Sequence, residues 1–265
     1  MELSFWIKFT LGFLVGGIWV TLSSIAAERF GSKVGGLIGG LPSTIVVTLL
    51  FIGLTQTAAR AAQSAIIVPL VMGINGIFIT VFIYLSRRGL APALAGALLV
   101  WFCLASIPIV LNIQALWLSI LVWLFLGIGC FLVVEKGMKI ISQGRKTTRY
   151  TANQVAGRAA LSGSVVAFAV LMSKVAGPLA GGTFATFPAV FLSNLIISYR
   201  SGGAAFSSAV AKSLMVSGII TVPIYALLVW HFYPRLGLGF GTLIAFLLTA
   251  GAGILTLQVM KSRLT

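Results

Sequence analysis

The chain has 265 residues, 59% of them apolar and 8% charged, with 18 Lys and Arg against 3 Asp and Glu and a net charge of +15. A soluble domain carries about 25% charged residues, so this composition cannot cover a water-facing surface. The alternating segments of a membrane β-barrel are absent, and no zinc-finger, RNA-binding or helix-turn-helix signature accompanies the basic residues, which excludes nucleic acid as a partner.

What remains is a chain of apolar runs of about 20 residues, each long enough to cross a hydrocarbon core of roughly 30 Å as a helix. The composition therefore predicts an all-α, polytopic helical membrane protein whose standing partner is the lipid bilayer. The first run, 5–27, ends at Glu28-Arg29. Its start lacks a basic cluster and its length exceeds the roughly 7–15 apolar residues of a secretory signal, so it is read as a span. The second, 34–56, is entered through GSKVGGLIGGLPSTIVVTLL (31–50), where glycines and a proline run straight into an apolar segment. Spans 3 to 5 are expected at 63–86, 90–110 and 115–134. Cys103 and Cys130 fall inside two of them without a CxxC or His partner, and read as buried small hydrophobes rather than a disulfide or metal site. After the polar piece 135–154 come spans 6 to 9, at 155–173, 175–199, 207–230 and 236–260. His231, within Trp230-His231-Phe232-Tyr233, reads as part of an aromatic belt at a membrane surface.

Nine spans can be checked against charge, because short loops rich in Lys and Arg stay in the cytoplasm. One side collects Arg29, Lys33, Arg87, Arg88, Lys136, Lys139, Arg145, Lys146, Arg149, Arg158, Arg200, Lys212, Lys261 and Arg263; the other collects only Lys8, Arg60, Lys174 and Arg235. Removing the fifth span scrambles that bias. The expected arrangement is nine spans in an inner (cytoplasmic) membrane, with the N-terminus outside and the C-terminus cytoplasmic.

Residues 172–192 read MSKVAGPLAGGTFATFPAVFL and repeat the earlier motif. Ser32-Lys33-Val34-Gly35-Gly36 matches Ser173-Lys174-Val175-Ala176-Gly177, Gly39-Gly40 matches Gly181-Gly182, and Leu41-Pro42 matches Phe187-Pro188 after an insertion. Further on, Ile79-Thr80-Val81-Phe82-Ile83-Tyr84 matches Ile220-Thr221-Val222-Pro223-Ile224-Tyr225. The repeating unit is four helices, giving a first repeat at 1–112, a connector helix with a basic loop at 113–154, and a second repeat at 155–265. A single connector span inverts the second repeat relative to the first, the architecture of many secondary transporters.

A Lys followed by a small-Gly pair, a short apolar link and Leu-Pro or Phe-Pro resembles the GlpM family of small four-helix bacterial inner-membrane proteins. GGLIGGLP after Lys33 fits that spacing, AGGTFATFP in the second copy is one residue longer, and residues 187–233 are similar to the family's pattern through its next two helices. The resemblance implies a membrane location and a four-helix unit, without a defined activity.

Gly35, Gly36, Gly39, Gly40, Gly177, Gly181 and Gly182 suit close helix packing. Pro42 and Pro188 add something different, because each lacks an N–H and frees a carbonyl one turn earlier, and such groups survive at membrane depth only in protein or beside a wet cavity. Hydroxyls and an amide flank both prolines: Ser43, Thr44 and Thr48 in one copy, Thr183, Thr186, Ser193 and Asn194 in the other. Together they form a candidate site for a small polar solute, or caps for the freed backbone. Lys33 and Lys174 open the motifs and serve either as snorkelling anchors or as electrostatic gates. Glu28, with Arg29 and Lys33 nearby, is a candidate coupling carboxylate. No P-loop, HExxH or intramembrane carboxylate pair is present, so neither an enzyme nor a metal or organic cofactor is expected. Two functions remain: a secondary transporter or permease, or a non-transporting membrane scaffold, either as a possible homo-oligomer.

Overall fold

The computed structural model describes residues 3–29, 42–140 and 151–263, with side chains over 3–23, 42–140 and 151–255. The regular elements are helices throughout: α1 (Leu3–Arg29), α2 (Ser43–Thr55), α3 (Ala58–Ala65), α4 (Val68–Ser86), α5 (Leu90–Val110), α6 (Leu116–Leu132) with a π turn after it (Val133–Gly137), α7 (Ala152–Val175), α8 (Pro178–Ala185) and α9 (Ala189–Arg263). Local chemistry marks several starts. Thr151 and Gln154 form a reciprocal capping box at α7, and the Thr57 hydroxyl accepts from Arg60 N at 3.1 Å at α3. Pro69 and Pro178 sit in first turns, where a missing N–H costs nothing.

α9 is nominally 75 residues long but is interrupted at Gly203 (φ 74°) and Gly237 (φ 73°). Positive φ is cheap only without a Cβ, so these two glycines turn the chain sharply and divide α9 into segments 189–202, 204–236 and 238–263. Six stretches are individually long and apolar enough to cross a membrane. The last of them contains three crossings, and span 2 is seen as the shorter α2. Span 3 is α3 and α4 across a turn, and span 7 is α8 with the first segment of α9. Among the described residues a helical segment falls in each of the nine expected spans, the second over 42–55 only.

The inversion is visible where the two repeats meet. Their first helices, α1 and α7, form one of the most extensive packing interfaces in the molecule. Phe5 near the start of α1 lies under Lys174 at the end of α7, whose Nζ is 3.9 Å from the ring centroid. Further along α1, Gly17 abuts Ala159 near the start of α7. Equivalent helices therefore run antiparallel. A Cβ on Gly17 would stand 2.7 Å from the Ala159 carbonyl oxygen, so the approach depends on a small residue.

α4 is buried along most of its length, from Val68 to Ser86. The connector α6 packs on it: Leu126 lies against Gly73, Cys130 against Gly76, and the Ser119 hydroxyl accepts from Leu70 N at 3.0 Å, satisfying a first-turn donor of α4. On its other side α6 meets the second segment of α9, where Trp123 Nε1 donates to the Ile219 carbonyl at 2.8 Å. α5 turns Ala93, Ala97, Trp101 and Ala105 inward at a spacing of four. Cys103 falls on the opposite face and is exposed, which corrects the expectation that both cysteines are buried; Cys130 is. The exposed faces carry large apolar side chains, among them Leu99, Phe102, Phe125, Ile128, Phe240 and Leu247, as a lipid-facing surface requires.

The charged residues also sort by end. At one end Lys8 Nζ donates to Leu54 O at 2.7 Å, Gln56 Nε2 donates to Ser173 Oγ at 3.0 Å, and Arg60 and Lys174 lie close by. At the other end Lys212 pairs with Glu135 at 2.5 Å and donates to Ile140 O at 3.1 Å, while Tyr199 and Ser208 bind Ser86, next to Arg87-Arg88. This is the partition that the charge bias predicts. In a background lacking Cys103 and Cys130, Gln114→Cys should react with an impermeant thiol reagent added to intact cells, and Ser201→Cys should not. Labelling of both positions from outside overturns the nine-crossing arrangement.

Candidate functional site

The start of α2 in span 2 and the break in span 7 meet. Pro42, Ser43, Thr44 and Ile45 at the start of α2, and Ala185, Thr186, Phe187, Pro188, Val190 and Phe191 around the break between α8 and α9, line one cavity. Met72 and Asn75 of α4 and Gly218 and Val222 of α9 complete it, so both repeats contribute the same two helices. The space offers about 60 Å³ to the centres of water molecules, which is room for several waters when about 10–15 Å³ suffices for one.

The break at Pro188 is stabilised by polar groups on every side. Thr186 N and Phe187 N donate to Thr183 O and Phe184 O at 3.2 and 3.1 Å. The Thr186 hydroxyl donates to Thr183 O at 2.7 Å, and Asn75 Nδ2 donates to Thr186 O at 2.9 Å. Asn75 is 1% exposed, and its Oδ1 accepts from Trp101 Nε1 at 2.7 Å. The Trp101 ring stands edge-on to Phe187 at 5.1 Å, closing the cavity on that side. The carbonyls of Thr183, Phe184 and Thr186 are thereby occupied, and the flanking hydroxyl of Thr186 acts as a backbone cap.

Several residues expected at the site lie elsewhere. Thr48 is fully buried and donates to Thr44 O at 2.9 Å within its own helix. Ser193 does the same toward Val190 O at 3.0 Å. Asn194 does not line the cavity: it lies one turn further along the helix than Val190 and accepts from Arg158 Nη2 at 3.0 Å. Thr183, 1% exposed, carries a hydroxyl without a hydrogen-bond partner beside the packed glycines. Lys174 is exposed at its helix end over Phe5, as an anchor would be, and does not line the cavity. Lys33, Gly35, Gly36, Gly39, Gly40 and the Glu28 side chain lie outside the described residues. Gly181 and Gly182 are packing positions: a Cβ on either would collide, with Ser173 and with the Ser64 carbonyl respectively. Gly177, at φ 90°, starts α8 in a conformation that favours glycine.

A second, larger hollow opens at the end where Arg60 lies. Its lining includes Arg60, Gln63, Asn112, Gln114, Gly177 and Pro178, and it offers water centres about 350 Å³. α8 runs from its wall to the central cavity, since Pro178 borders the hollow and Ala185 the cavity. Asn75, Trp101 and Arg60 were not marked by the repeat, because the match of 79–84 with 220–225 sets Asn75 opposite Val216. The signal that finds Asn75 is a carboxamide standing alone in a long apolar run.

These features define an all-α polytopic membrane protein in which two inverted four-helix repeats enclose a central cavity. The chain belongs to the family described as "Protein of unknown function (DUF3147)", whose profile matches residues 9–116 and again 158–261, once in each repeat. No curated protein and no solved structure matches the chain.

Two substitutions check this geometry through the thermal midpoint of purified protein in detergent. Gly182→Leu should lower stability by about 1–3 kcal/mol through overpacking, whereas Gly239→Ala, with open space around it, should not. Asn75→Leu strands Trp101 Nε1 and Thr186 O, each at a cost of about 1–3 kcal/mol. An unchanged midpoint in Asn75→Leu contradicts the bridging role of this side chain.

Proposed function

We propose that the protein is a secondary transporter or permease for a small polar solute, working by alternating access between its two inverted repeats. The observation that carries this reading is the convergence of two helix starts marked by proline, one from each repeat, on a single cavity. The two ends of the molecule support it by their difference. At the Arg60 end the large hollow approaches the cavity, while at the opposite end Ser86, Ser208, Tyr199, Lys212 and Glu135 are joined by hydrogen bonds and an ion pair. On this reading the solute enters from the hollow, and exchanging the conformations of the repeats opens the bonded end. Charge bias puts the hollow outside and the bonded end in the cytoplasm of a cell with this protein in its inner membrane. No catalytic step is assigned to any residue, and the GlpM-like motif is read as the building block of each half.

Ser86 Oγ and Ser208 Oγ are 3.3 Å apart, so a Ser86→Cys, Ser208→Cys pair brings two sulfurs near disulfide distance. In proteoliposomes, wild-type protein should show saturable uptake of at least one small polar solute. Oxidising the cysteine pair should stop that uptake, and dithiothreitol should restore it. Full uptake through the cross-linked protein rules out alternating access at this end. Absence of uptake for every solute tried favours the scaffold reading.

A further inference from the structure

We infer that the solute is a small monovalent anion, held in the central cavity between two opposed helix N-termini; this rests on the permease reading above and narrows it. A broken helix presents a new N-terminus, whose first N–H groups have no partner inside the helix. At α2 the first intrahelical donor is Val46 N, bonded to Pro42 O at 3.0 Å, which leaves the N–H groups of Ser43, Thr44 and Ile45 outside the helical ladder of the described residues. At α9 the corresponding bond is Leu192 N to Pro188 O at 2.8 Å, which leaves those of Val190 and Phe191. All five residues line the cavity.

The side chains point to the same chemistry. Ser43, 8% exposed, lines the cavity without a hydrogen-bond partner among the described residues, and Pro42 provides no side-chain cap. The Thr44 hydroxyl beside it is also buried without a partner. A hydroxyl can donate to an anion or accept from the backbone, and here the neighbouring backbone offers only donors. A cation would need carbonyl oxygens instead, and those of Thr183, Phe184 and Thr186 are already taken by Thr186, Phe187 and Asn75. Among the described residues no carboxylate lines the cavity. At the approach, Arg60 supplies a positive charge in the hollow among the amides of Gln63, Asn112 and Gln114.

Magnitude sets the charge of the ion. Each helix N-terminus acts as roughly +0.5 of an elementary charge, so two facing ends balance about one negative charge. Among the described residues no Lys or Arg side chain lines the cavity to balance a second. The walls supplied by Met72, Phe187, Phe191 and Val222 further disfavour a strongly hydrated dianion. The cavity volume limits the ion to a few heavy atoms, the class of halides, nitrate and formate.

The test measures binding and movement separately. Purified protein is titrated calorimetrically with the sodium salts of fluoride, chloride, nitrate, formate and sulfate against a gluconate baseline. Proteoliposomes are then assayed for movement of the same anions, of rubidium and of glycerol. At least one monoanion should bind and move, and sulfate should not. Ser43→Ala with Thr44→Val should weaken that anion's binding by about tenfold or more. Thr44→Asp places a carboxylate at the helix N-terminus, which such a position stabilises, so the protein should stay folded while anion binding disappears. Ser106→Ala, on the exposed face of α5, controls for handling. Anion binding without movement keeps the site and removes the permease reading. Movement of glycerol or rubidium without anion binding overturns the anion inference and keeps the permease. Undiminished anion binding by folded Thr44→Asp also overturns the inference, and an absence of both binding and movement overturns both.

Discussion

The constraint on which this structure depends is that a backbone polar group inside a bilayer has no water to turn to. An unbroken helix meets it within itself. This chain interrupts a crossing at Pro188 and starts the described helix of another at Pro42, and both points line one cavity. Much of the buried polar chemistry follows from that choice. Asn75 reaches across from α4 to the carbonyl of Thr186, Trp101 holds Asn75 in place, and Thr186 folds its hydroxyl back onto its own helix. α4, which carries the amide, is enclosed by α5, the connector and α9.

The inverted repeat supplies the geometry, and the unequal side chains make it useful. Two copies of one unit, related by inversion, bring like elements to the same point from opposite directions. A fully symmetric pair would have identical ends. Here the groups that serve the break of the second repeat, Asn75 and Trp101, come from the first. Position 216, which the repeat sets opposite Asn75, is valine. The ends differ as well: a hollow lined by Arg60 and amides at one, a network of Ser86, Ser208 and Tyr199 with the Glu135–Lys212 pair at the other. Interactions that hold one end together must be exchanged for others before the second end opens, and hydrogen bonds and a single ion pair are weak enough individually to be exchanged.

Close packing at the centre is made possible by residues that add no volume. Gly182 lets α8 rest on the backbone of Ser64, Gly181 lets it rest on Ser173, and Gly17 and Gly163 do the same for α1 and α7. Lipid tails are as apolar as leucine, so helices in a membrane gain little from apolar burial and much from shape and close contact. Gly181 and Gly182 of the repeated motif therefore do structural service, while Ser43, Thr44, Val190 and Phe191, just past the two prolines, face the cavity.

The sequence by itself determined the class, the number of crossings, the duplication and the sorting of charge. All four follow from one-dimensional quantities: run length against bilayer thickness, the side on which each Lys or Arg falls, and the recurrence of a motif. It also marked Pro42, Ser43, Thr44, Thr186 and Pro188, because proline and its neighbours carry their effect along the chain. The direction in which a side chain points was decided only by the tertiary structure. Thr48, Ser193 and Asn194 sit within a few residues of the same prolines, yet none lines the cavity, and each bonds to its own backbone or to Arg158. Asn75 and Trp101 are 26 residues apart and Thr186 is 111 residues beyond Asn75. Nothing local links these three, since their contact exists only once α4, α5 and the end of α8 have packed, and packing is set by the sum of many small interactions spread over the whole chain.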